Sequence, residues 1–140
     1  MPMKLNKTTF YILSFTWGLP LTLIGCLLAA AMLISGHKPR RCGWAWYFTA
    51  GEYWGGMEGG PFFIRDRCSS EHITCHEYGH AIQNCFFGPF MLLLVTIPSG
   101  VRYWYRRLYR RWGRAIRSEY DRVWFEGQAT RLGIKYTSLL

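Results

Sequence analysis

His76-Glu77-Tyr78-Gly79-His80 is an H-E-x-x-H pattern in a chain with only four histidines. On a helix, residues at i and i+4 stack on one face, so His76 and His80 can grip one metal ion. Zn²⁺ takes imidazole nitrogens at about 2.0 to 2.1 Å, and one helical turn separates two ligands of one tetrahedron. Glu77 projects beside that face, where its carboxylate can take a proton from metal-bound water near neutral pH. Ser69 or Ser70 is placed to cap such a helix, which starts near Glu71. His72 lies one turn before His76 and reads as a neighbour, and Cys75 reads as packing.

Upstream of this helix, Trp44-Ala45-Trp46-Tyr47-Phe48-Thr49 has the aromatic character of a strand, and Phe62-Phe63-Ile64 reads as a second one. Between them Gly51, Gly55-Gly56 and Gly59-Gly60 with Pro61 are turn and bulge material. A small Gly-rich hairpin or sheet beside the H-E-x-x-H helix is expected, which makes the fold α+β.

Further upstream, Thr8 to Ser35 carries no charge over 28 positions. A helix through Phe10 to Ile34 would be roughly 37 Å long, enough to cross about 30 Å of hydrocarbon with some tilt. Pro20 would bend it, which membrane helices tolerate. Residues 1–41 are therefore expected to be a transmembrane anchor with a basic flank, and 42–140 the zinc domain. The alternative is a cleavable signal peptide, for which Ala29-Ala30-Ala31 offers a small-residue site. Two of the 17 basic residues precede this run and 15 follow it, which favours a cytoplasmic body.

Downstream, Ala81 to Val101 is again uncharged over 21 positions, but Gly88-Pro89 and Pro98-Ser99-Gly100 interrupt it. The breakers suggest a bent apolar segment over 86–101 that returns to the side it came from. Arg102, Arg106, Arg110 and Arg114 then form one helical stripe, and Trp104, Leu108, Trp112 and Ile116 another. A basic amphipathic helix over 102–117 is expected, binding anionic lipid headgroups; nucleic acid is the competing partner.

Catalytic zinc usually has a third protein ligand. The downstream carboxylates are Glu119, Asp121 and Glu126. Glu126 is followed by Ala129 and Thr130, and here the chain resembles the gluzincin zinc peptidases, which carry H-E-x-x-H on one helix and a Glu ligand on a second, often as E-x-x-A-D. The ordered set Trp54-Gly55-Gly56, His76 to Gln83, Gly88-Pro89, Ile97-Pro98-Ser99, Tyr120-Asp121 and Glu126 is similar to small membrane-associated bacterial proteins of this kind. The resemblance covers about Trp54 to Gly133. It implies that Glu126 completes the ligand set with His76 and His80, that Glu77 is the base, and that peptides are hydrolysed. Thr130 stands where these proteins commonly have an Asp that orients a ligand His. Tyr120, Tyr103 and Arg102 are the candidates to stabilise an oxyanion.

Composition agrees with a membrane-associated body. Of 140 residues, 50% are apolar and only 18% charged, below the roughly 25% of soluble domains. The net charge of +9 favours anionic surroundings. Five cysteines without a Cys-x-x-Cys suggest free thiols. A zinc-binding protein without hydrolytic activity, and an Arg-rich surface module with a fortuitous motif, are the rival readings.

Overall fold

The computed structural model describes residues 4–115 and 122–138. Five α-helices and four strands lie among them: α1 (Lys7–Phe15), α2 (Leu19–Ile34), β1 (Arg40–Cys42), β2 (Ala45–Thr49), β3 (Gly56–Gly59), β4 (Phe62–Arg65), α3 (Glu71–Phe87), α4 (Ile97–Arg111) and α5 (Trp124–Thr137). The expected α+β class is correct. The sheet has the order β1-β2-β4-β3. Gly60-Pro61 turns β3 back on β4 as an antiparallel pair, with Gly59 opposite Phe62. The two strands expected from sequence, β2 and β4, are also neighbours, but they run parallel, with Trp46 opposite Phe62. They belong to a mixed sheet and not to one hairpin.

The N-terminal run is not the one helix expected. The uncharged N-terminal run is two helices bent by 95°, and no single helix among the described residues is long and apolar enough to cross a membrane. The break falls at Thr16-Trp17-Gly18. Pro20 sits in the first turn of α2, where its missing N–H costs nothing, so the helix restarts there. Asn84 of α3 donates to the carbonyl of Gly18 at 3.2 Å, and Thr22 donates to the carbonyl of Ser14 at 2.6 Å. A Cβ on Gly18 would stand 2.4 Å from the Asn84 amide, so any larger residue here must displace that side chain.

Both N-terminal helices are integral to the core. Phe10 packs with Trp44, Tyr78, Ile82 and Tyr136; Leu21 packs with Met91, Val95 and Phe125; Ala29 packs with Phe48 and Ile64. Gly25 of α2 lies so close to β3 that a Cβ there would be 1.7 Å from the carbonyl oxygen of Gly59. The segment expected to stand apart as residues 1–41 thus contributes to all three apolar clusters.

The second apolar run bends as expected. Glu71–Phe90 and Leu92–Arg111 meet at 116°. α3 continues to Phe87 and stops at Gly88, whose φ of 55° is left-handed. A 3-10 turn over Gly88–Phe90 and a π-helical turn over Leu92–Thr96 lead into α4. The basic helix is shifted relative to expectation, to Ile97–Arg111. It ends there because Gly113 takes φ 72° and its N–H closes on the carbonyl of Arg110. Ile116 and Arg117 lie outside the described residues. α5 packs alongside α3, and the site lies between them.

Candidate metal centre

α3 is almost wholly buried from His76 to Cys85, so its polar side chains must find partners inside the protein. His76 and His80 stack edge to face, with ring centroids 4.7 Å apart. Their Nε2 atoms are 3.2 Å from each other. Oε2 of Glu126, in the first turn of α5, lies 2.9 Å from Nε2 of His76 and 3.2 Å from Nε2 of His80. One donor atom from each of the three residues thus converges on one point, and all three residues are buried. Of the downstream carboxylates, Glu126 is the one brought to the histidines; Glu119 and Asp121 lie outside the described residues.

The donor set suits a metal ion. Ligands at the corners of a tetrahedron with about 2.0 to 2.1 Å bonds are roughly 3.3 Å apart, close to the separations observed. The second nitrogen of each ring is already engaged. Nδ1 of His76 is 2.9 Å from Oγ1 of Thr130, and Nδ1 of His80 is 2.7 Å from Oε1 of Gln83. Gln83 cannot turn its amide around, because its Nε2 donates to the carbonyl of Phe125 and to Oε1 of Gln128, both at 2.8 Å. An acceptor fixed at Nδ1 of His80 keeps a proton there and leaves Nε2 as the ligating atom. Ser99 donates to Oε1 of Glu126 at 2.5 Å, which turns Oε2 towards the two rings.

Charge inside this cluster is strongly coupled. Burial works against a proton on His80. It is outweighed by the hydrogen bond to Glu126 and by the carboxylates of Glu58, Glu77 and Glu126, which push its pKa up to about 10. Burial would raise Glu126, but hydrogen bonds from His76 and His80, the charge of His80 and the Ser99 hydroxyl hold it well below the usual carboxylate range. Glu77 is pushed up to about 8, mainly by burial; His80 opposes the shift, and Glu58 and Glu126 add to it. Its Oε2 is buried with no hydrogen-bond partner among the described residues. An orphaned carboxylate oxygen next to a three-ligand cluster is placed to engage a water or a substrate amide. Room for that carboxylate exists because residue 56 is glycine: a Cβ there would meet the Glu77 carboxyl at 2.7 to 2.8 Å.

The other site residues fall into place unevenly. Thr130 lies beside His76, its hydroxyl within hydrogen-bond distance of the ring. Tyr103 donates its hydroxyl proton to the carbonyl of Trp54 at 2.5 Å and accepts from Arg107 at 3.1 Å, so its proton is committed in this state. Arg102 is half-buried on α4 and is not among the residues lining the cleft beside Glu77. Tyr120 lies outside the described residues. That cleft has a volume of about 680 Å³, and His72, Tyr53 and Tyr103 contribute to its walls. Cys75 is half-buried with Sγ 3.9 Å from the Thr137 hydroxyl, and all five cysteines are free.

Sequence reasoning gave no role to Gln83, Ser99, Gly56 or Glu58. For Gln83 a signal existed: 76, 80 and 83 follow i, i+4, i+7 on one helical face. Gly56 and Ser99 come from other elements; both stand in the ordered set that carries the resemblance, but that set gave neither a role at the site. Comparisons with protein-family models, curated proteins and solved structures return no match for this chain.

Proposed function

We propose that this protein is a zinc-dependent peptidase of the gluzincin kind, acting at a membrane surface. The observation that carries the reading is the convergence of His76, His80 and Glu126 beside the unpartnered carboxylate oxygen of Glu77. Two imidazoles and one carboxylate form a donor set that suits zinc and leaves a coordination position open. Bound there, zinc would polarise a peptide carbonyl and lower the pKa of a water molecule towards neutrality.

The chain's own residues do the rest. Glu77 accepts the proton of the attacking water as the new C–O bond forms, and hands it to the amine nitrogen as the C–N bond breaks. A carboxyl group buried enough to titrate near 8 is suited to both directions of transfer. Thr130 and Gln83 keep the histidine rings in register, and Ser99 does the same for Glu126. The lipid-facing part of the proposal rests on large apolar side chains left exposed along α2 and α4, among them Leu23, Leu27, Trp104 and Trp112.

Glu77→Gln separates an enzyme from a metal-binding scaffold. The variant keeps the side-chain size and removes the base. We expect zinc to be retained while cleavage of a quenched fluorescent peptide library falls by roughly 10²-fold or more. Cleavage that survives in Glu77→Gln would place the activity elsewhere. Zinc retained with no cleavage in either protein would favour the scaffold.

A further inference from the structure

α4 has two unlike sides. Ile97, Val101, Trp104, Leu108 and Trp112 share one of them and are exposed. Tyr103, Arg106, Arg107 and Arg110 lie at i, i+3, i+4 and i+7 on another, and all four line the cleft that also holds His76 and Glu77. Two arginines of the expected stripe, Arg106 and Arg110, together with Arg107 therefore line the approach to the candidate metal centre.

Arg107 is fixed in that wall. Its Nη1 donates to the hydroxyl of Tyr103 at 3.1 Å, and its guanidinium lies over the ring of Trp104 at 5.6 Å. Tyr103 is tied in turn to the carbonyl of Trp54. Among the described residues that line the cleft, Glu77 is the one acid, and it is the proposed base. Three arginines thus contribute to a cleft whose other lining is Glu77, aromatic side chains, two histidines, one Ile and Gly55-Gly56. At about 680 Å³ the cleft falls within the roughly 300 to 1,000 Å³ of small-ligand sites, enough for a few residues of peptide. Guanidinium is the side chain best matched to carboxylate, and inside a cleft its field is less screened than on open surface.

We propose that the Arg106–Arg107–Arg110 wall selects acidic peptides, with an Asp or Glu side chain of the substrate held by these guanidiniums while its neighbouring amide sits at Glu77. This rests on the peptidase reading for the word substrate, but the recognition itself is a binding property and can be measured without turnover.

The test uses the full chain carrying Glu77→Gln, with and without zinc, and three fluorescent peptides, the first two blocked at both ends. One peptide carries Asp and Glu; its partner carries Asn and Gln in their place; a third is the neutral peptide with a free C-terminal carboxylate. Fluorescence anisotropy should show the acidic peptide binding at least tenfold more tightly than the neutral one at low salt. The ratio should shrink as salt rises. Arg106→Gln with Arg110→Gln should abolish the preference, and the Lys pair at the same positions should keep most of it. Preference confined to the free C-terminus would overturn side-chain selection, and so would equal binding of all three peptides. Should the Gln pair fail to fold, the salt dependence and the acidic-to-neutral ratio of the parent protein decide the matter alone. A Gln pair that weakens association with phosphatidylserine vesicles or with an oligonucleotide, but leaves peptide binding unchanged, would also overturn the proposal. Acidic preference without cleavage by the parent chain would leave this inference standing and sink the peptidase reading. Cleavage without acidic preference would do the reverse.

Discussion

Gly79 of α3 is pressed against the backbone of α5 at Ala129: a Cβ on Gly79 would stand 1.7 Å from the carbonyl oxygen of Ala129. One turn away the contact is returned, since a Cβ on Gly133 would stand 1.8 Å from the carbonyl oxygen of Cys75. The two helices cross backbone to backbone, and that close crossing lets the short side chain of Glu126 reach two histidines on the neighbouring helix.

Gly79→Ala should therefore act against its helix propensity. In an open helix alanine is favoured over glycine by about 1 kcal/mol. Here the added methyl must push two backbones apart, which costs typically 1 to 3 kcal/mol or more. We expect a lower melting temperature by circular dichroism and weaker zinc retention together. A variant as stable as the parent, with full zinc content, would mean that the helices do not cross this closely.

The ring partners make a second prediction. Gln83→Leu removes the acceptor at Nδ1 of His80 and also the donor to Phe125 and Gln128. Thr130→Val removes the partner of His76. Each should weaken zinc affinity roughly 10- to 100-fold in competition with a chelating dye, while Thr130→Ser should stay near the parent. His76→Ala or His80→Ala should abolish retention outright. Equal affinities across this series would disconnect the cluster from metal binding.

Much of this site was legible because its signals are local or periodic. The i, i+4 spacing of His76 and His80 states their shared face, and the Glu126–Ala129–Thr130 pattern pointed to the carboxylate and the hydroxyl that meet them. Gly88-Pro89 announced the bend between α3 and α4. What stayed hidden depends on partners distant in sequence. An uncharged run of 28 positions looks like one span until Gly18 is seen packed on Asn84, 66 residues away. The arginine and aromatic stripes were read over 102–117, of which α4 carries the part up to Arg111, and a helix alone does not say which side meets a cleft. The parallel pairing of β2 with β4 is likewise invisible in two strands separated by a glycine-rich stretch, where a hairpin is the simpler reading.

A third prediction follows from the proton on His80. With its pKa raised to about 10 from 6.5, His80 is charged at pH 7 in the metal-free protein, whereas a ligating imidazole must be neutral. Zinc uptake should expel that proton, so apparent affinity should rise about tenfold per pH unit between roughly pH 6 and 8. The sign for stability is opposite. A raised folded-state pKa gives the metal-free protein a contribution that is full below 6.5 and is lost as pH rises through about 10. Calorimetry in buffers of different ionisation enthalpy, on the Glu77→Gln variant so that Glu77 adds no proton of its own, should count about one proton per zinc. A count of zero would mean that His80 is already neutral.

The exposed side of α4 makes the last prediction. Trp104 is 64% exposed, Leu108 47% and Trp112 66%, and they share the side facing away from the cleft. Burying a large apolar side chain completely is worth about 1.5 to 3 kcal/mol, and partial burial among headgroups gives a fraction of that for each. Changing all three to Gln should lower partitioning onto phosphatidylcholine–phosphatidylserine vesicles by tenfold or more in a flotation assay. Because these residues contribute area and no charge, the loss should appear in neutral vesicles as well and should persist at high salt. Arg106 and Arg110, on the cleft side, should matter less to partitioning than this apolar trio. Binding that ignores the triple change but disappears with salt would return the arginines to the lipid surface. Their role in the cleft would then have to be given up.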